Sequence, residues 1–193
     1  MPDPLMRASH LLSNVHALSD LGADVEEQVR ERCGDVITEI EGAVRVAWMP
    51  LELDVRLTQT VYDLCGPERL REWGHAAITK STEGPLLGPI VEGLRRLGMT
   101  PTTALRRVPY GWDLIYRHCG EVRFEGEEEP PEHGEHTVRL TVAHTPALLR
   151  GRSYLIGIAG AFDGVIAFGG GREGRSDHVV DGDVVTFHCR WQT

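Results

Sequence analysis

The chain has 193 residues, with 29 Asp plus Glu against 20 Lys plus Arg, a formal net charge of −9 and 41% hydrophobic residues. These values suit one soluble domain with a real core and exclude disordered and fibrous classes. The longest run without Asp, Glu, Lys or Arg, Ala8 to Ser19, has 12 residues, short of the roughly 18 a membrane-spanning helix needs, and an acidic chain is repelled by phosphate backbones, so neither membrane insertion nor nucleic-acid binding is expected.

In chain order, the opening MPDPLMRASH lacks the basic start and apolar run of a secretory signal, which makes the cytoplasm the expected location. Leu11, Leu12, Val15 and Leu18 recur at helical spacing, Gly22 breaks the pattern, and a second short helix over Asp24 to Cys33 is stopped by Gly34. Residues 1–46 are therefore expected as a helical segment preceding a single α+β domain over 47–193. Within 36–48 the pattern suits helix or strand equally, because Val44, Val46 and Trp48 alternate after a Glu-rich stretch.

Pro50 suits the first turn of a helix whose Leu53, Leu57, Val61 and Leu64 share a face, and Gly66-Pro67 restarts one carrying Leu70, Trp73 and Ala77. Gly84-Pro85 opens another, with Leu86, Leu87, Ile90, Val91, Leu94 and Leu97 inward until Gly98. Thr100-Pro101 caps a fourth segment, interrupted near Pro109 and resuming through Trp112, Ile115, Tyr116 and Cys119 to Gly120.

The period then changes. Val122 and Phe124 begin a strand, Glu125 to Glu135 form an acidic connection with Pro130 and Pro131, and Val138, Leu140 and Val142 alternate as a second strand. A long buried helix is expected over 146–168, ending in Gly169 to Gly171. Val179-Val180, the Asp181-Gly182-Asp183 turn, and Val185, Phe187, Cys189 and Trp191 read as a closing hairpin. The predicted architecture is N-terminal helices followed by a ββαββ unit, an antiparallel sheet packed on a long central helix.

The run AWMPLELDVRL, the segments GPLLGPIVEGLRRLGMTP and VPYGWDLIYRHCG, and the closing RGRSYLIGIAGAFDG with VVTFHCRW resemble an uncharacterised protein family expanded in myxobacteria, over residues 47–191. More distantly, the ββαββ end is similar to vinyl-reductase and TRAPP-type ligand-binding domains and to haem-based nitric oxide sensors. The resemblance implies binding of small molecules or proteins, with dimerisation in some relatives. The cysteine-rich zinc site of some vinyl-reductase-type sensors has only Cys189 as a counterpart. The Tyr-x-Ser-x-Arg contact of the haem sensors is matched only by Arg152-Ser153-Tyr154, in a different order and spacing.

Cys33, Cys65, Cys119 and Cys189 lie far apart without a Cys-x-x-Cys pair and read as free thiols. From Glu121 to His136 there are seven Glu and one Arg, a local net of 1 − 7 = −6, so the acidity is concentrated there. Glu132-His133-Gly134-Glu135-His136 has metal-ligating residue types, but in a Pro- and Glu-rich loop it reads as a solvated turn. Gly169 to Arg175 is Gly-rich but follows a helix, the reverse of a phosphate loop, and reads as a connection. Gly157, Gly160, Ala161 and Gly164 form a small-residue stripe for close helix packing or a homodimer seam. Arg107, Tyr110, Trp112, Tyr116, Arg152 and Tyr154 are amphipathic aromatics beside Arg, of the kind that line a small-ligand pocket.

Ser153 stands outside any nucleophile elbow, and no Cys carries a catalytic signature. The expected function is a non-enzymatic sensory or scaffolding domain, with no cofactor or metal, acting through a protein partner, a homodimer or a bound small ligand. A haem- or metal-dependent gas sensor is the alternative, and an enzyme with a His-centred site the second alternative.

Overall fold

The computed structural model describes residues 2–84, 87–96, 98–127 and 134–192. Strand Leu5–Arg7 (β1) runs directly into helix Ala8–His16 (α1); a 3-10 turn through Leu21 leads to helices Ala23–Arg32 (α2) and Gly34–Glu41 (α3). Gly34, expected to stop the helix before it, is the first residue of α3; α2 ends at Arg32, with Cys33 as the junction. Val44 and Val46, 71% and 73% exposed, lie in the loop after α3 because no partner strand reaches them. Only Trp48–Pro50 (β2) is strand.

Leu51–Glu83 (α4) is a helix in two halves. Gly66 has a φ of 77°, a conformation glycine adopts without a Cβ penalty, and Pro67 begins the second half at a position where its missing N–H costs least. Leu51, Leu53, Leu57 and Val61 are buried before the break, and Leu70, Trp73 and Ala77 after it. Helix Gly88–Arg96 (α5) follows, with Leu87 buried at its start; residues 85–86, where that helix is expected to begin, lie outside the described residues. Thr100 and Thr103 form a reciprocal capping box that starts Pro101–Leu105 (α6), and Val108–Ile115 (α7) comes next.

The expected continuation of α7 to Gly120 does not occur. Tyr116 turns extended, with φ −113° and ψ 150°, and Tyr116–Arg117 (β3) pairs with β1, giving a three-stranded sheet in the order β2-β1-β3. Hydrogen bonding to an existing strand outcompetes another helical turn. Arg7 and Arg117 flank the Trp48 ring on this sheet, 3.8 and 4.3 Å from its centroid.

The second half is Glu121–Glu127 (β4), Glu135–Ala143 (β5), a 3-10 turn over Ala147–Arg150, Arg152–Phe168 (α8), Arg172–Asp181 (β6) and Val184–Gln192 (β7). The four strands form an antiparallel sheet in the order β4-β5-β7-β6, the expected α+β arrangement on a central helix. The helix expected from residue 146 begins at Arg152, after extended Gly151. The Gly-rich run through Arg175, expected as a connection, is strand from Arg172 onward. Of the acidic connection, 128–133 lies outside the described residues, including Glu132 and His133; Glu135 and His136 belong to β5, with the His136 ring stacked on Trp191.

Val185, Phe187, Cys189 and Trp191 alternate inward with exposures of 0–2%, and Phe162 of α8 meets Phe187 edge to face at 4.9 Å. The other side of α8 lies against α4. Gly74 and Gly157 bring the two backbones together, Gly160 faces the backbone of Arg71, and Gly164 faces Ile78 and His75. The stripe therefore packs on α4 within the chain. Arg71 completes the layering: its guanidinium donates to Asp163 of α8 at 2.6 Å and to the carbonyl of Ser176 in β6 at 2.8 Å. Residues 1–46 share this core through Leu11, Val15, Leu18, Val29, Val36 and Ile40. Among the described residues, no helix is long and apolar enough to cross a membrane.

Candidate functional site

A cleft of about 160 Å³ opens between α1, α4, α5, α7 and α8. Its walls are apolar over most of their extent, with Ala77 and Ile78 from α4, Ile90 and Val91 from α5, Val108 and Ile115 from α7, and Ile158, Phe162 and Val165 from α8. A cavity of roughly 150 Å³ with such a lining takes up benzene-sized guests, whereas cofactor pockets run to about 300–1,000 Å³.

One patch of the lining is polar. His10 and Asn14 are one turn apart on α1, and Asp54 and Thr58 one turn apart on α4, so each pair presents to one side of its helix. Asn14 Nδ2 donates to Asp54 Oδ1 at 2.7 Å, and the Tyr154 hydroxyl donates to Asp54 Oδ2 at 2.7 Å. Tyr116 OH lies 3.4 Å from Tyr154 OH, and Trp73 Nε1 donates to the Asn14 carbonyl at 3.0 Å. Asp54 is 3% exposed and has no cationic partner among the described residues.

Burial dominates the electrostatics. It raises the Asp54 carboxyl above its ordinary range, against the two hydrogen bonds that favour the ionised form. Burial beside Asp54 also raises the Tyr154 and Tyr116 phenols, so both remain protonated. Burial pushes the His10 imidazole down to about 4, which leaves it neutral at physiological pH. His10 Nδ1 pairs with Ser81 Oγ at 2.8 Å, and its other ring nitrogen has no partner among the described residues. The indole Nε1 of Trp112, on the α7 wall, is buried without a hydrogen-bond acceptor.

Of the pocket residues expected from the sequence, Trp112, Tyr116 and Tyr154 line the cleft, with Arg107 and Tyr110 exposed at its rim. Arg152 does not join them. It lies beside a separate polar depression with Glu68, Arg71, Arg175, Asp177 and His178, because Arg152 leaves α8 on the side toward β6 while Tyr154, two residues on, turns to the cleft. His10, Asn14 and Asp54 were missed by sequence reasoning. Their signal was present as polar residues on otherwise apolar helical faces: His10 and Asn14 beside Leu11 and Val15, and Asp54 in line with Leu57 and Val61. Among the described residues no three His, Cys, Asp or Glu side chains converge as a metal site.

No family model and no curated protein matches this sequence. Solved structures do. An H-NOX structure from work on haem distortion in that family superposes with a TM-score of 0.65 at 14% identity, covering 97% of this chain and 94% of the other. A Cs H-NOX mutant bearing 4-cyano-L-phenylalanine gives 0.64 at 15%, covering 97% and 96%. The Fe(II) unliganded H-NOX protein from K. algicida gives 0.59 at 10%, covering 97% of both chains. The chain has the fold of the H-NOX domains, the haem nitric oxide sensors to which its ββαββ end bears a distant resemblance.

Proposed function

We propose that the chain is a non-enzymatic sensory domain whose cleft binds a small molecule. The observation that carries this reading is the cleft itself, an apolar cavity with a buried, hydrogen-bonded polar patch built from α1, α4 and α8. On the same cleft the Trp112 indole Nε1 is buried without an acceptor, and an unpaired buried polar group is costly unless a partner meets it.

Likeness to haem-binding H-NOX structures favours haem as that molecule, and this is the second reading. One residue supports it: neutral His10 could offer a ring nitrogen to hold an iron while Ser81 orients the other. The rest of the lining does not fit haem. Among the described residues Arg107, at the rim, is the one Arg or Lys on the cleft to meet two propionates, and the wall carries a buried carboxyl, Asp54. A compact organic ligand suits these features better.

Native mass spectrometry together with an absorption spectrum before and after hemin addition tests both readings. A colourless protein that takes up no hemin and retains or binds a small organic molecule is the expected result. A Soret band lost in His10→Ala would establish the haem reading instead.

A further inference from the structure

Resting on the reading of the cleft as a ligand site, we infer that the cleft selects a protonated amine on a compact aromatic or alkyl body, with Asp54 as its counter-charge.

Asp54 is enclosed, and its partners among the described residues, Asn14 and Tyr154, are neutral. Each carboxylate oxygen can accept two hydrogen bonds, so those two donors leave capacity unused. A buried carboxylate without a cation is unfavourable, and an ammonium head supplies both the missing charge and the missing donors.

The neighbouring groups suit the same head. When His10 Nδ1–H donates to Ser81, its other nitrogen is an acceptor, and the imidazole carries no opposing charge. The Tyr116 and Tyr154 hydroxyls, both on the lining, offer further acceptors. The apolar walls then take the rest of the ligand. A carboxylate-bearing ligand would place a second negative charge beside Asp54, and a neutral one would leave Asp54 unmatched.

The test is isothermal titration at neutral pH with three matched probes, phenethylamine, phenethyl alcohol and phenylpropionate, on the wild type and on Asp54→Asn and Tyr154→Phe. Phenethylamine is expected to bind about tenfold or more tightly than the alcohol, with phenylpropionate weakest. Asp54→Asn should abolish the amine preference while still binding the alcohol. Tyr154→Phe should retain the preference. Equal binding of amine and alcohol, stronger binding of phenylpropionate, or an undiminished preference in Asp54→Asn overturns the amine inference and leaves the cleft reading intact. Failure of all three probes to bind at millimolar concentration overturns both. Should Asp54→Asn fail to fold, the order of the three probes on the wild type decides.

Discussion

Gly160 of α8 faces the backbone carbonyl of Arg71 in α4, so closely that a β-carbon at 160 would overlap that oxygen. Gly157, one turn earlier, is different: a β-carbon there meets only the Thr58 methyl, at an ordinary 3.7 Å. Two glycines of one stripe therefore have opposite sensitivities.

Gly160→Ala is expected to lower stability by about 1–3 kcal/mol, since the helices must move apart and backbone cannot yield as a side-chain end does. Gly157→Ala should be neutral or stabilising by up to about 1 kcal/mol through helix propensity. Chemical denaturation of the two variants checks the contrast, and equal effects would contradict the packing of α8 on α4. Light scattering should show both variants in the wild-type oligomeric state, because α4 already covers the stripe.

His10 makes stability depend on mild acid. Its folded-state pKa is depressed to about 4 from 6.5, so the unfolded chain takes up a proton first as pH falls. The contribution is complete above 6.5 and is lost progressively down to about 4, on the order of 3 kcal/mol in total. His10→Gln, neutral at every pH, should flatten the melting-temperature profile across that window. A profile as steep as the wild type's would place the dependence on another group.

Asp54 acts in the opposite sense. Its folded-state pKa is raised, so the folded protein holds the proton more tightly, and the carboxyl's cost grows as pH rises from the ordinary carboxylate range through the raised value. Asp54→Asn retains a carbonyl to accept from Asn14 and should melt at the same or a higher temperature than the wild type at neutral pH. The difference should shrink on acidification. Calorimetry at several pH values reads it, and a variant markedly less stable at neutral pH would show that the charged form is favoured in place.

Thiol reactivity should divide the four cysteines. Cys33, Cys119 and Cys189 are 3%, 1% and 0% exposed, and burial pushes Cys119 up to about 11 and Cys189 up to about 12. Cys65, beside the break in α4, is partly exposed. One equivalent of a disulfide reagent should react promptly in the native state at mild alkaline pH, and all four thiols after denaturation. Prompt loss of that equivalent in Cys65→Ser confirms the assignment.

The strands around Val138–Val142 and Val185–Trp191 were legible because their inward positions are apolar, so the period of two is written directly into the residues, whereas β6 buries the polar Ser176 and exposes Val179 and Val180. The break at Gly66-Pro67 and the cap at Thr100 were legible for local reasons as well. The small sheet was not. Leu5–Arg7, Trp48–Pro50 and Tyr116–Arg117 are two or three residues long, too short for any period, and they pair only because the fold brings them together. The aromatic half of the cleft was recognised from residue type, whereas its polar patch was overlooked because His10 and Asn14 on α1 meet Asp54 only across the tertiary structure. The placement of Arg152 failed for the same reason: the rotation of α8 decides that Arg152 and Tyr154, two residues apart in its first turn, face different walls.

The short sheet has a mechanical consequence. β1 continues without a break into α1, and α7 continues without a break into β3, so two walls of the cleft grow from neighbouring, hydrogen-bonded strands. Arg7 adds a bond to the carbonyl of Val46 at 2.7 Å and shares the Trp48 ring with Arg117. At this end α1 and α7 are stitched together, and they can separate only by pivoting about the stitch, like the covers of a book about its spine. Any swelling of the cleft is thereby converted into a change of angle between the helices, largest at the edge farthest from Trp48.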